Sequence, residues 1–459
     1  MEKSWGIVIS ISAFLIQFLM FGICLSFGIY VIELQNEFDS GLSIISSIGS
    51  VHFGFQLFTG PMVSFLMRKI SYRKVCLLGS LISSIGLSVL PFTPNIPYLI
   101  AFFGVLTGIG YSLLYLSSHT LSGLWFDDNR SLVTGIVTAG SSLGGVVFPP
   151  LVEILIEEYG WRGSMFILAA LNLQTILLAG LLRESPIQHA WKKSKTKSIK
   201  NNLAGSTVYT IPESNGNHIC TRETTSENTT RNHNAKTLTN IDKGSNPKKG
   251  NFTVLKLFRN IPYDLFTLNC LLWNVGASVH LLLGPDYYTK VGRSVSEAAI
   301  LLSVSQGAAC FGSVVGGVLG NYHNINRCVL FLSTNLISGL CLLAYPFPVL
   351  HTMAGFIAVN LLYGLSFGVS LGLLIILVSD FVGSELIADG MGYLMLLCGI
   401  GTFLGPPFGG YLVQMTESDD AAFYFGGSAY LLSALVLMVI PIKDCLRRSK
   451  KYSVSISVT

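Results

Sequence analysis

Polar side chains able to bind a solute stand singly in otherwise apolar sequence. Gln17 and Cys24 are seven residues apart, on one helical face, with Phe21 between them. His52 and Gln56 stand at i, i+4, and Tyr111, Tyr115 and His119 repeat that spacing. Further along come Asn269, Trp273 and Asn274, then Gln306, then Asn360, Tyr363 and Phe367. Groups of this kind hold and release a ligand through neutral hydrogen bonds and ring contacts, without making or breaking its bonds. No nucleophile elbow, P-loop or metal-ligand spacing occurs, so neither an enzyme nor ATP-driven pumping has support, and no cofactor is expected. The nine cysteines include no CxxC pair and read as small apolar packers.

Each isolated amide or hydroxyl also has an ordinary use as an interhelical hydrogen bond, worth only about 1 kcal/mol. His52 and His119 could shuttle protons or be satisfied core residues. Arg130 and Asp380 are charged candidates at helix ends, where charges also hold turns and satisfy helix termini.

The elements that must carry these residues are membrane helices. In 459 residues, 51% hydrophobic and 12% charged with a mean hydropathy of +0.59, a soluble globular fold is excluded. A span takes about 20 apolar residues, because lipid offers the backbone no hydrogen-bond partner. Twelve stretches qualify, near 6–30, 44–67, 75–92, 98–121, 132–156 and 165–182, then 263–283, 298–319, 328–346, 353–378, 387–413 and 423–440. The first lacks a basic leader and a cleavage pattern, so it is expected to be retained. The formal charge of +5 arises between apolar runs rather than on a basic folded face, and no nucleic-acid partner is expected.

With both termini in the cytosol, every Lys and Arg except Arg162, Lys290 and Arg293 falls on the cytosolic side, and none falls inside a span. The expected architecture is an all-α membrane protein of 12 transmembrane helices in two six-helix halves. Residues 1–183 form the first half, 184–260 a disordered cytosolic linker, 261–442 the second half and 443–459 a cytosolic tail. Lysines of the linker could touch anionic membrane lipid.

The two halves echo one another. Gly140 and Gly144 precede Pro149 and Pro150, while Gly401 and Gly405 precede Pro406 and Pro407, an offset of 257 positions between the proline pairs. Glycine ladders at 312/316/320 and 364/368/372 let backbones approach closely. Doubled halves and small-residue interfaces together describe a rocking transporter with its site between the halves at mid-membrane.

Several longer motifs point to one family. They are Glu2-Lys3-Ser4-Trp5-Gly6-Ile7 opening helix one, Gly60-Pro61 leading to the basic turn 68–73, and Trp125-Phe126 followed by Arg130 and a small-residue run to Ala139-Gly140. Tyr159-Gly160-Trp161-Arg162-Gly163 and Asp380-Phe381-Val382-Gly383 complete the set. On these motifs the chain resembles the monocarboxylate transporters of the major facilitator superfamily over nearly all of both halves. By that resemblance Phe21 matches an aromatic position lining the family's cavity, Phe367 a phenylalanine linked to substrate selection, and Arg130 an arginine associated with substrate or gate contacts.

The chain departs from the family where proton-linked members keep their charges. A lysine late in helix one falls on Leu25, an Asp and Arg pair in helix eight on Ala309 and Ser313, and an acid in helix ten on Ile376. The expected function is therefore movement of a small organic solute, a monocarboxylate or a relative of one, by alternating access without the usual proton coupling. Expected substrate or gate residues are Gln17, Phe21, Tyr115, Arg130, Trp273, Gln306, Asn360 and Phe367. The resemblance implies a plasma-membrane address and, as for some relatives, a single-span ancillary glycoprotein as partner. Two other readings stay open: a facilitator of amino-acid-like or neutral solutes, and a non-transporting receptor or scaffold on the same fold.

Overall fold

A computed structural model of the chain describes residues 2–40, 42–126, 129–183, 260–322 and 324–456. The expected linker, apart from Asn260, lies outside the described residues. The first half contains α1 (Glu2–Leu25), α2 (Phe27–Phe38), α3 (Leu42–Phe58), α4 (Gly60–Lys69), α5 (Tyr72–Val89), α6 (Ile96–Leu99), α7 (Gly108–Trp125) and α8 (Arg130–Leu181). A π-helical stretch over Ile100–Thr107 joins α6 to α7. In the second half are α9 (Ile261–Lys290), α10 (Val295–Asn321), α11 (Arg327–Ala344), α12 (Met353–Val382), α13 (Ile387–Thr416) and α14 (Asp420–Ile456).

Helix starts are set by short polar side chains that take up otherwise unpaired backbone N–H groups. Ser71 caps α5, Asn326 caps α11, Thr352 caps α12, and Ser294 with Glu297 forms a reciprocal capping box on α10. Among the described residues, ten helical segments are long and apolar enough to cross a membrane. One of them, α8, has 52 residues, far more than a single crossing needs, and Gly160 interrupts it with φ +68° and ψ 170°. A side chain is poorly tolerated at that φ, so the glycine divides α8 into two spans. The second expected span is broken at Thr59 into α3 and α4, with Pro61 in the first turn of α4 unable to donate an N–H. The expected spans that do not stand as separate long segments are thus the second, divided into α3 and α4, and the fifth and sixth, which run together in α8. At the other end of the chain, α14 continues past Lys443 to Ile456, so most of the expected tail is a continuation of the last helix.

Within the first half α1 packs along α8, and α5 against α7 and α8. Within the second, α10 packs along α12, α9 against α13 and α14, and α11 against α14. The halves meet along two seams: α8 lies against α10 and α12, and α13 against α3, α4 and α7. Small residues set the closeness of both. A Cβ on Gly135 would lie 2.5 Å from the Ser313 carbonyl oxygen and 2.8 Å from Gly317 Cα, and one on Gly60 would lie 2.7 Å from the Gly392 carbonyl oxygen. Backbone contacts of this kind replace the hydrophobic drive that lipid removes.

Candidate functional site

The runs 5–32, 44–67, 75–126, 131–152, 163–182, 265–285, 298–322, 328–379, 390–416 and 421–442 contain no Asp, Glu, Lys or Arg. Any site at mid-membrane is therefore built from neutral groups. One face of α1 organises it, with Gln17, Phe21 and Leu25 at i, i+4 and i+8. Gln17 is 1% exposed and its Nε2 donates to Ser118 Oγ of α7 at 3.3 Å. Phe21 meets Tyr115 of α7 edge-on at 5.9 Å between ring centres, and Tyr115 in turn meets His119 at 5.3 Å. A Cβ on Gly145 of α8 would touch Leu25 Cδ1 at 2.6 Å and the Gln306 side chain of α10 at 3.5 Å. The Leu25 and Gln306 side chains thus converge over Gly145, on the seam between the halves.

In the second half, Trp273 of α9 stacks on Phe367 of α12 with 5.1 Å between ring centres, and Phe367 lies parallel to Tyr363 at 5.9 Å. Tyr363 also carries the His280 ring at 4.1 Å and hydrogen-bonds Tyr430 at 3.0 Å. Asn274 donates to the Cys270 carbonyl at 2.9 Å, the same carbonyl that Cys398 Sγ of α13 approaches at 3.9 Å. Cys270 and Cys398 belong to an apolar cluster that includes Val63, Met67, Leu113 and Leu124 of the first half, and Tyr115 packs against it. Trp273 belongs to a separate cluster of the second half and meets this one through the Phe331 ring, at 6.1 Å between ring centres.

Other expected residues are spent elsewhere. Asn360 is fully buried, its amide donating to Tyr288 Oη and the Phe356 carbonyl while its Oδ1 accepts from Tyr288. Such an amide holds α12 to α9 within an aromatic core and has no donor to spare. His52 bonds through Nδ1 to the Phe103 carbonyl at 2.8 Å and stacks on the Phe103 ring, the arrangement of a core histidine. Tyr111 departs from the stripe of Tyr115 and His119, because its hydroxyl donates to Asn172. Ala309 and Ser313 are buried where α10 meets α12: a Cβ on Gly368 would strike the Ala309 carbonyl, and one on Gly372 the Ser313 carbonyl.

Arg130 lies away from this neutral group, at one end of the seam. It is 7% exposed, its Nε donates to the Gly123 carbonyl at 2.8 Å, and its Nη1 crosses to Ser379 Oγ at 2.6 Å and Ser384 Oγ at 3.3 Å. On the other seam Arg68 Nε donates to Asp389 Oδ1 at 2.5 Å, and Ser64 donates to the same oxygen at 2.7 Å. Asn321 donates to Asn129 at 2.9 Å on this end as well. Asp380 stays within its own half, paired through both oxygens with Arg327. At the opposite end, the ion pairs among the described residues also stay within one half: Glu37 with Arg162, Lys290 with Asp286 and Asp419, and Arg293 with Glu297. The molecule is therefore tied shut across the seam at the end that carries Arg68 and Arg130.

Two features of this arrangement are not marked in the sequence. Asp389 reads there as an ordinary acid at a helix start, and only its position beside Gly390 at the beginning of an apolar run hints at a partner. His280 stands seven residues after Trp273, on the same face, and that spacing was the available signal.

Comparison with known proteins agrees with this geometry. A family model described as Major Facilitator Superfamily matches residues 9–406. Monocarboxylate transporter 9 of Gallus gallus is 26% identical, the match covering 98% of this chain and 96% of that protein. Monocarboxylate transporter 14 of Homo sapiens is 25% identical over 98% of this chain and 93% of its own length, and monocarboxylate transporter 12-B of Danio rerio is 27% identical over 99% and 91%. With two helical halves meeting at a neutral site and matches running through both, the chain belongs to the major facilitator superfamily, as a multi-pass membrane transporter of the monocarboxylate-transporter-like kind.

Proposed function

We propose that the protein moves a small organic solute, a monocarboxylate or a relative of one, by alternating access without proton coupling. The carrying observation is the uncharged interior: Leu25, Ala309, Ser313 and Ile376 stand, by the family resemblance, where proton-linked members keep their charges, and the neutral amide of Gln306 overlooks the same face. Gln17, Phe21, Tyr115, Trp273, Gln306 and Phe367 contact the solute. Arg130 belongs to the gate, together with Arg68 and Asp389. Asn360 acts behind the site through Tyr288.

The two seams supply the motion. Bonds across one end hold that end closed, and a solute reaching the middle from the other end is released when those bonds break and the halves rock. Both termini lie in the cytosol of a plasma-membrane protein, which makes the closed end the cytosolic one. A single-span glycoprotein is its partner for reaching the surface, and membrane lipid contacts the linker lysines.

The absence of a charged group among the site residues also favours a second reading, a facilitator of amino-acid-like or neutral solutes. Trans-stimulation tests transport itself: purified protein in liposomes preloaded with unlabelled solute accelerates entry of the labelled one if a carrier alternates. Saturable binding with no flux would instead mark a receptor or scaffold.

A further inference from the structure

The hydrogen-bonding capacity left unspent around the seam is specific in kind. Ser118 Oγ donates its proton to the Leu114 carbonyl at 2.6 Å, so toward Gln17 it can only accept. That fixes the Gln17 amide with Nε2 toward Ser118, and its Oε1, a buried acceptor, has no partner among the described residues. Trp273 Nε1–H, on a side chain 3% exposed, is a buried donor without a partner there as well. The half-buried Gln306 amide bonds to none of the described residues, and it offers a donor and an acceptor in one group. Leaving such groups unpaired costs about 1–3 kcal/mol each, a cost that a solute supplying the missing partners removes.

A carboxylate fits this set poorly. It brings acceptors only, so it could take the Trp273 and Gln306 N–H groups but would set negative charge against Gln17 Oε1. The runs 5–32, 265–285 and 298–322 that carry these three groups hold no Lys or Arg to offset its desolvation, which costs several kcal/mol for a buried ion. A carboxamide has the same shape and presents an N–H beside its carbonyl. Its N–H answers Gln17 Oε1, its carbonyl answers Trp273 Nε1, and the Gln306 amide can pair with either edge. Phe21, Tyr115 and Phe367 supply apolar and ring contact for the remainder of the molecule.

We infer that Gln17, Trp273 and Gln306 recognise an uncharged solute bearing a donor–acceptor edge of the carboxamide type, and discriminate against the matching carboxylate. The inference rests on the transporter reading above and selects, within it, the neutral-solute form over the monocarboxylate.

Matched acid and amide pairs test it: lactate and lactamide, benzoate and benzamide, nicotinate and nicotinamide, each labelled and offered to liposomes containing the full chain. In every pair that is taken up, the amide should enter saturably and at least about tenfold faster than its acid, the ratio that 1.4 kcal/mol of discrimination gives. Imposing a membrane potential should leave the rate unchanged. Trp273→Phe keeps a ring and removes the donor, and Gln17→Leu removes the acceptor; each should cut amide uptake about tenfold with the protein still monodisperse. Saturable entry of an acid that its amide does not inhibit would overturn the inference and leave the transporter reading standing. Absence of saturable flux in every pair, with folded protein in the liposomes, would count against both.

Discussion

Arg68 of the first half bonds Asp389 of the second at 2.5 Å, and this is an ion pair that ties the two halves together. Asp389 is 8% exposed and also accepts from Ser64, so its removal leaves two donors facing an apolar seam. Arg68 keeps some water, which places the pair between a surface bridge and a buried one, at about 2 kcal/mol. Asp389→Asn should therefore shift the balance toward opening at that end by more than tenfold. Exchanging the charges, Arg68→Asp with Asp389→Arg, should recover part of the loss. A double-mutant cycle on uptake rates reads the coupling, and strict additivity would mean that the contact does not gate.

Arg130 makes a different contact, through two nitrogens at once to the Gly123 carbonyl and to Ser379 across the seam. A lysine cannot reproduce both. Arg130→Ala and Arg130→Lys should each lower transport about tenfold or more with normal surface expression, since charged hydrogen bonds contribute about 1.5–3 kcal/mol. Unchanged kinetics in Arg130→Ala would remove the residue from the gate.

Close packing on the α8–α10 seam predicts a graded glycine series. Gly135→Ala would press a methyl onto the Ser313 carbonyl and Gly317 Cα, backbone against backbone, whereas Gly180→Ala meets nothing within 4 Å. The first should lose about 1–3 kcal/mol and the second almost none. Thermal unfolding in detergent, followed by size-exclusion profile, separates them.

Restoring the family's charges singly should fail. Ser313 is fully buried between α10, α12 and α8, and Ala309 is 1% exposed. Ser313→Arg or Ala309→Asp puts an unpaired ion there at a cost of several kcal/mol. Both variants should be retained inside the cell, and lactate transport by either at the surface would show that the seam can open to admit a charge.

Much of the architecture was legible because lipid imposes one rule on every span. Apolar runs marked the helices, and the repeated proline pairs at 149 and 406 marked the doubled halves. Interruptions were harder to see: Thr59 and Gly160 sit inside sequence that reads as apolar or as an ordinary loop, and their conformation depends on what packs beside them. Phe21 and Tyr115 were each legible as candidates from helical spacing, with family position added for Phe21, but their edge-on pairing between α1 and α7 was not. Asn360 shared that spacing with Phe367 yet turned to Tyr288, because periodicity fixes a face and does not say which neighbour occupies it. Arg68 and Asp389 lie 321 residues apart, and charges at helix ends look alike until the halves are brought together.

The central claim is transport through an uncharged interior, without protons. Uptake of labelled small organic solutes, monocarboxylates and neutral relatives alike, should be compared at acidic and neutral external pH in cells expressing the protein. Saturable uptake with the same rate and affinity at both values is the predicted result. Accumulation of a monocarboxylate that is strongly stimulated by external acid would contradict it, and would mean that protons cross by a path that needs none of the missing charges.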